Sequence, residues 1–403
     1  MPNLPNWKQT LVRLLSGYFF AAIAYYMIPA LIVLNLTARN TEPVLIGLLA
    51  ACQPVGLLLA LVLVEPLVAR YDAYATFMGA FWLALGVSLS FILSDALLLW
   101  AVAVILIGVA SGIYYVIAES WVALLCPPEQ RGQIVSIFET IIGATSLLAP
   151  LILLLTGTSG WLPFVVAAIL TGIGLLIFLP MQPPSGLHPT TDSPALARPQ
   201  RLAHTLRQIG AMVLAAALLG GLYEAGIPAV LPPFSVQVGF SLALATLLVA
   251  VIGVGSLLQI PIGYLADRMA WQRLMLAATV LLVVASLLLP LALRLPAVLW
   301  LLGFVWGMLG GGLYTLAVIR VGATLRGIQL VQGTTAIFFA YIIGNIIGPV
   351  LGGVGLSFAP TYGLSIVFGG VGLAGLGVMV IGHTRHMRHK RGLPIAIPKP
   401  PEG

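Results

Sequence analysis

Apolar residues dominate this chain in long stretches, and polar residues fall in short clusters between them. About 20 consecutive apolar residues cross a bilayer core as an α-helix, and the stretches reach that length. The first follows Lys8 and Arg13 and runs to about Leu36. Five more lie near 44–68, 75–93, 97–126, 134–155 and 161–180. The texture then changes: Pro183, Pro184, Pro189, Pro194 and Pro199 stand among Ser, Thr, Asp192, Arg198 and Arg201, the composition of a polar linker. Six further stretches follow near 208–231, 241–265, 273–293, 297–324, 331–357 and 361–382. The pattern predicts an all-α integral membrane protein with twelve transmembrane helices in two pseudo-symmetric six-helix bundles. The bundles are expected at 1–180 and 207–384, with a linker at 181–206 and a basic, disordered tail at 385–403 lying near anionic headgroups.

Composition agrees with the pattern. Of 403 residues 60% are hydrophobic and only 7% are charged, with a mean hydropathy of +1.10, which excludes a soluble class. The net charge of +7 does not read as nucleic-acid binding, because the bases are dispersed among loop ends with no aromatic-basic face. They act as topology signals instead. The even-numbered loops and both termini hold fifteen Lys and Arg residues, and the odd-numbered loops hold only Arg39 and Arg294. This asymmetry predicts that both termini are cytoplasmic. Cys52 and Cys126 have no evident partner, and the histidines fall outside the apolar stretches, so neither a disulfide framework nor a metal site is expected. The first stretch lacks a small-residue cleavage site and is too long for a signal-peptide core, so it is expected to remain as a span.

Charged side chains inside the apolar stretches are the candidate chemistry. Glu119 leads them, in GVASGIYYVIAESWVALL, at a depth where a charge costs about 2.5–3.5 kcal/mol on insertion scales. It shares a helical face with Ser111 and Tyr115. Glu119 is either a proton or substrate site, since desolvation disfavours a charged carboxylate, or a structural acid bonded to a neighbouring Ser, Tyr or Arg. Arg320, six residues before Arg326, either pairs with an acid or an anionic substrate group, or extends to the interface. Glu224 follows Tyr223 and precedes Pro228, where the helix is expected to bend; it contacts substrate or proton, or bonds at the outer interface. Glu139 lies about two turns inside the membrane after Arg131, as a functional acid or as half of an internal ion pair.

The halves repeat at an offset near 200. Ile28-Pro29-Ala30 returns as Ile227-Pro228-Ala229, and Gly112-Ile-Tyr114 as Gly312-Leu-Tyr314. Through this repeat Glu224 aligns with Tyr25. Parallel repeats place a binding site between the halves at mid-membrane depth.

Gly263-Tyr-Leu265-Ala266-Asp267-Arg268, followed by Arg273, resembles the signature of the major facilitator superfamily in the loop after span eight. The matching loop after span two, Glu65 to Arg70, keeps Leu and Arg but has lost Gly and Asp. Gly344-Asn-Ile-Ile-Gly348-Pro349-Val-Leu-Gly352-Gly353 is similar to the glycine-proline motif of its antiporters, displaced here to span eleven, where it is expected to permit close helix packing. Glu119-Ser120 before Arg131-Gly132, with Gly221-Leu-Tyr223, is similar to a bacterial efflux-type subgroup. The resemblance implies a secondary transporter in which Tyr25, Tyr223 and Glu224 line the cavity and Asp267 and Arg268 act in gating. The expected function is transport by alternating access, proton-coupled, with efflux of cationic or neutral amphipathic compounds. The alternative is a non-transporting receptor or scaffold on the same fold. No catalytic constellation suggests an enzyme, and no cofactor is expected. The expected partners are a small-molecule substrate, protons and membrane lipids, without nucleic acid, acting on a monomer. If the termini are cytoplasmic, Ser185→Cys and Gly392→Cys, in a chain with Cys52 and Cys126 replaced by Ser, escape impermeant thiol reagents in intact cells. Labelling at both positions overturns the orientation.

Overall fold

The computed structural model describes residues 7–125, 131–181 and 206–391. Every regular element among them is helical. In chain order these are α1 (Trp7–Ala38), α2 (Pro43–Tyr71), α3 (Ala73–Ser90), α4 (Leu97–Leu125), α5 (Arg131–Thr156) and α6 (Leu162–Phe178). The second half holds α7 (Ala211–Gln237), α8 (Leu242–Leu257), α9 (Gln259–Arg268), α10 (Trp271–Leu287), α11 (Val298–Thr324), α12 (Gly327–Phe358) and α13 (Gly363–Arg391). Nine helices among the described residues are long and apolar enough to cross a bilayer, and three shorter apolar ones complete a set of twelve. Several buried hydroxyls bond within their own helices: Ser88 donates to the Ala84 carbonyl at 2.7 Å, Thr171 to Ala167 at 3.0 Å and Thr279 to Met275 at 2.9 Å. Hydrocarbon offers no other partner.

Two boundaries differ from the sequence expectation. Span eight is not continuous but breaks at Leu258 into α8 and α9. Pro261 lacks the N–H that would bond to the Leu257 carbonyl, so the helical ladder is interrupted there. The basic stretch expected as a disordered tail from residue 385 is helical through Arg391. Cationic side chains in a last helical turn favour the macrodipole, which helps the helix continue past Gly382. The expected linker at 182–205 and the tail from 392 onward lie outside the described residues.

Within each bundle the closest packing is backbone on backbone. A Cβ on Gly221 of α7 would overlap the Tyr341 carbonyl of α12, and Cβ atoms on Gly344 and Gly348 would overlap the carbonyls of Leu218 and Leu222. In the first bundle Gly56 of α2 and Gly108 of α4 meet in the same manner. The two bundles touch along α2–α12, α5–α8 and α1–α7. Gly47 of α2 abuts the Pro349 carbonyl, and Gly353 of α12 abuts Pro43 and Val44. Gly253 of α8 lies on Leu147 of α5, a Cβ there reaching 2.9 Å from its Cα. The start of α2 and the end of α12 both lie on the face remote from the chain termini, so the seam closes that face. On the terminal face, α9 packs against α8, α10 and α11 of its own bundle. A cavity of ≈ 250 Å³ opens there, lined by Leu15, Ser16, Phe19 and Phe20 of α1 and Ile141 of α5.

Gly47→Leu drives a side chain into the α12 backbone, an overpacking worth about 1–3 kcal/mol against the closed seam. Spin labels at Glu42→Cys and Phe358→Cys are expected to move apart in this variant. An unchanged distance distribution in folded protein refutes the assignment of this seam as the closure.

Candidate functional site

The centre of the structure is a single acid under a group of phenols. Glu224 lies half-buried near the middle of α7. Tyr341 of α12 lies within side-chain hydrogen-bonding reach of this carboxyl, and Asn345, one turn further along α12, lies within the same reach of Tyr341. Gly310 of α11 lets the acid lie close: a Cβ there would stand 3.4 Å from the Cα of Glu224 and 3.6 Å from its Cβ. Tyr25 of α1, in the other bundle, is within electrostatic reach of Glu224, and Tyr25 and Tyr26 are both within reach of Tyr341. Rings enclose the group. Tyr314 and Tyr341 have centroids 4.4 Å apart, Phe338 stacks at 6.3 Å from Tyr341, and Tyr25 and Tyr26 meet edge to face at 5.0 Å.

Proline sets the backbone here. Pro29 has no N–H, so the carbonyl four residues earlier, that of Tyr25, loses its helical partner. Gln53 of α2 supplies a replacement, its Nε2 donating to the Tyr25 oxygen at 3.2 Å. Pro228 stands in the same relation to Glu224.

The first bundle contributes a second aromatic group toward the terminal face. Tyr115 of α4 lies 6.2 Å from Phe138 of α5 and 6.3 Å from Tyr18 of α1. Glu119 is one turn beyond Tyr115 on the same face of α4 and is exposed. It therefore lies toward the terminal-face end of α4, one turn past this aromatic group, and not beside Glu224.

The remaining sequence candidates scatter. Arg320 sits at the terminal-face end of α11 with its guanidinium 4.5 Å from the centre of the Trp271 ring. Ten residues separate it from Gly310, a rise of about 15 Å. It is not joined to Glu119: the salt bridge found among the described residues is Arg39 to Asp95, at 3.1 Å, in loops on the remote face. Tyr223 points away from the cavity and is 1% exposed inside the second bundle. Glu139 lies in α5, but its side chain falls outside the described set, as does that of Asp267. Asp267 occupies the last turn of α9 and not a loop, with Arg268 and Arg273 exposed around the two-residue turn to α10. Gly344 and Gly348 pack within the bundle, Pro349 and Gly353 face the other bundle, and Gly352 meets Val230 and Phe368.

Sequence reading missed Tyr341, Asn345, Tyr26 and Phe338. Tyr341 and Asn345 flank the first glycine of the motif on α12, so their position one turn apart beside a packing glycine was the available signal. It also passed over Asp72, whose carboxylate caps α3 by accepting from the Ala75 N–H at 2.8 Å. This acid serves the loop after α2 locally, within its own bundle.

A family model described as Major Facilitator Superfamily matches residues 14–330. The chain belongs to the Major Facilitator Superfamily. An uncharacterized MFS-type transporter of Bacillus subtilis (strain 168), YfkF, is 24% identical over 269 residues, 65% of this chain and 67% of that one. Among solved structures, a peptide transporter POT with bound sulfate aligns with a TM-score of 0.75 at 14% identity, covering 94% of this chain and 95% of its own. A D-xylose-proton symporter aligns with a TM-score of 0.74 at 16% identity, covering 92% and 96%. The superfamily fold, with its paired six-helix bundles, is thus established for this membrane transporter.

Proposed function

We propose that this superfamily member is a proton-coupled secondary transporter that exports small cationic or neutral amphipathic compounds by alternating access, with Glu224 as the protonated group. The observation that carries this reading is the placing of Glu224 between bundles. Its hydrogen-bond donor, Tyr341, belongs to its own bundle, and Tyr25 belongs to the other. Rocking one bundle on the other changes the second contact and the access of water while leaving the first. A carboxyl's hold on its proton follows its solvation and its partners, so the two orientations differ in proton affinity. Such a difference couples a proton gradient to a conformational equilibrium.

The charge balance supports the substrate class. The described partners of the central acid are phenols and not a base. Aromatic faces attract organic cations with about 0.5–2 kcal/mol each. The two amides of the centre, Gln53 and Asn345, already bond protein groups, which disfavours a substrate rich in hydroxyls. With the termini in the cytoplasm, as the distribution of Lys and Arg indicates, the closed seam of α2 and α12 faces outward. Glu119 then lies toward the cytoplasmic side, where an exposed acid attracts cations and protons. Asp267 and Arg268 act at the inner end of the second bundle as gating residues. The protein works as a monomer in the bacterial inner membrane.

Reconstitution in proteoliposomes with an imposed pH gradient tests this reading, using tetraphenylphosphonium as the probe. The parent is expected to drive probe movement against its gradient. Glu224→Gln is expected to abolish the response to pH while still exchanging the probe. Glu119→Gln is expected to keep the response with a rate lower by about tenfold or less, the equivalent of ~1.4 kcal/mol. A Glu224→Gln protein that responds to the gradient as the parent does removes Glu224 as the coupling group.

A further inference from the structure

We infer that Tyr223 is the positioning residue that holds Glu224 toward Tyr341, by pinning the rotation of α7 within the second bundle. The proposal rests on Glu224 being the working acid. Tyr223 and Glu224 are neighbours on α7, and their side chains leave the helix about 100° apart. While Glu224 faces the phenols of the cavity, Tyr223 enters the bundle interior. Its Oη donates to the main-chain carbonyl of Phe368 on α13 at 2.6 Å, and Ser286 Oγ of α10 lies 3.4 Å from the same oxygen. The ring lies 5.5 Å from that of Phe368. Gly372 of α13 leaves the space the phenol needs, since a Cβ there would come within 2.6 Å of the Tyr223 oxygen.

Along its glycine seam α7 has little to fix its rotation. Gly220, Gly221, Gly344 and Gly348 make its seat on α11 and α12 a run of backbone against backbone. Packing of that kind is close but smooth. Interdigitated side chains resist turning by steric interlock, and a glycine seam offers little of it. A buried phenol–carbonyl bond is directional, and turning α7 would orphan a donor in apolar surroundings, at about 1–3 kcal/mol.

The first bundle provides the contrast. Through the repeat, Tyr223 corresponds to Ala24 and Ser286 to Ser88. There, in place of a phenol, lies a cavity of ≈ 10 Å³ lined by Ala24, Tyr25, Ala84, Ser88, Tyr114 and Thr171 among others. That volume is at the threshold for one water. A six-helix bundle of the same fold therefore closes without the pin. The tyrosine is present where the neighbouring residue is the acid, and absent where the neighbouring residue is Tyr25.

The test is infrared spectroscopy of the full-length purified protein, without any transported compound. The carboxyl stretch of Glu224 is the band that Glu224→Gln removes. Tyr341→Phe, which deletes the donor, is expected to shift it. Tyr223→Phe keeps the ring and is expected to shift the band in the same direction, with unchanged helix content. Gly372→Ala, which presses a methyl against the phenol oxygen, is expected to reproduce the shift by an independent route. If the band stays at the parental position in Tyr223→Phe and Gly372→Ala, the phenol only packs and the proposal falls. The readout is independent of pumping, so a failure of the coupling assignment shows in the Glu224→Gln transport assay and a failure of the pin shows here.

Discussion

Close approach of helix backbones is the constraint on which this structure depends. A span in lipid has its backbone hydrogen bonds closed internally and gains no hydrophobic advantage by leaving lipid for another helix. What remains is contact, and contact is greatest where side chains are absent. The seam of Gly221, Gly344 and Gly348 brings α7 and α12 together in that way, and Gly56 with Gly108 does the same for α2 and α4. The central acid is a product of this closeness. Tyr341 reaches Glu224 because its own main-chain oxygen lies where a side chain at position 221 would otherwise stand.

The same material serves a different end between the bundles. Gly47 and Gly353 allow α2 and α12 to meet across the remote face, but in the proposed cycle this contact would open each time, whereas the seam inside the bundle would persist. One helix, α12, carries both. Its Gly344–Gly348 face is committed to α7, and its Pro349–Gly353 end is committed to α2 only in the present conformation. The phenols lie at the level where these two commitments divide. A carboxyl at that level experiences a constant neighbour and a variable one, the minimum required for an acid to register conformation.

The architecture was legible in the chain because apolar length is a global signal that survives local irregularity. The repeat was legible for a similar reason: Ile28-Pro29-Ala30 and Ile227-Pro228-Ala229 mark one depth in both halves. The site was only partly legible. Glu119 and Glu224 are equivalent by composition, both being acids in apolar stretches, and no periodicity shows that one lies toward the terminal face while the other meets Tyr341. Arg320 had the look of a partner for an intramembrane acid, yet its side chain lies over Trp271, a residue distant in sequence. Tyr223 was marked by its neighbour and not by its own direction, which a helical step of one residue reverses from cavity to interior. The break at Leu258 was readable from Pro261, whose missing donor interrupts the ladder.

The bond from Gln53 to the Tyr25 carbonyl has a mechanical meaning. Pro29 has left that oxygen without a helical donor, and the amide from α2 is its replacement. Sliding α1 along α2 would strand an acceptor in hydrocarbon surroundings, at about 1–3 kcal/mol, so the two helices travel as one piece. That piece carries Tyr25 at one level and Pro43 and Gly47 at another. In the proposed cycle, unlatching the contact with α12 would withdraw the phenol from the acid in the same stroke, and a missing peptide hydrogen would link a gate to a proton.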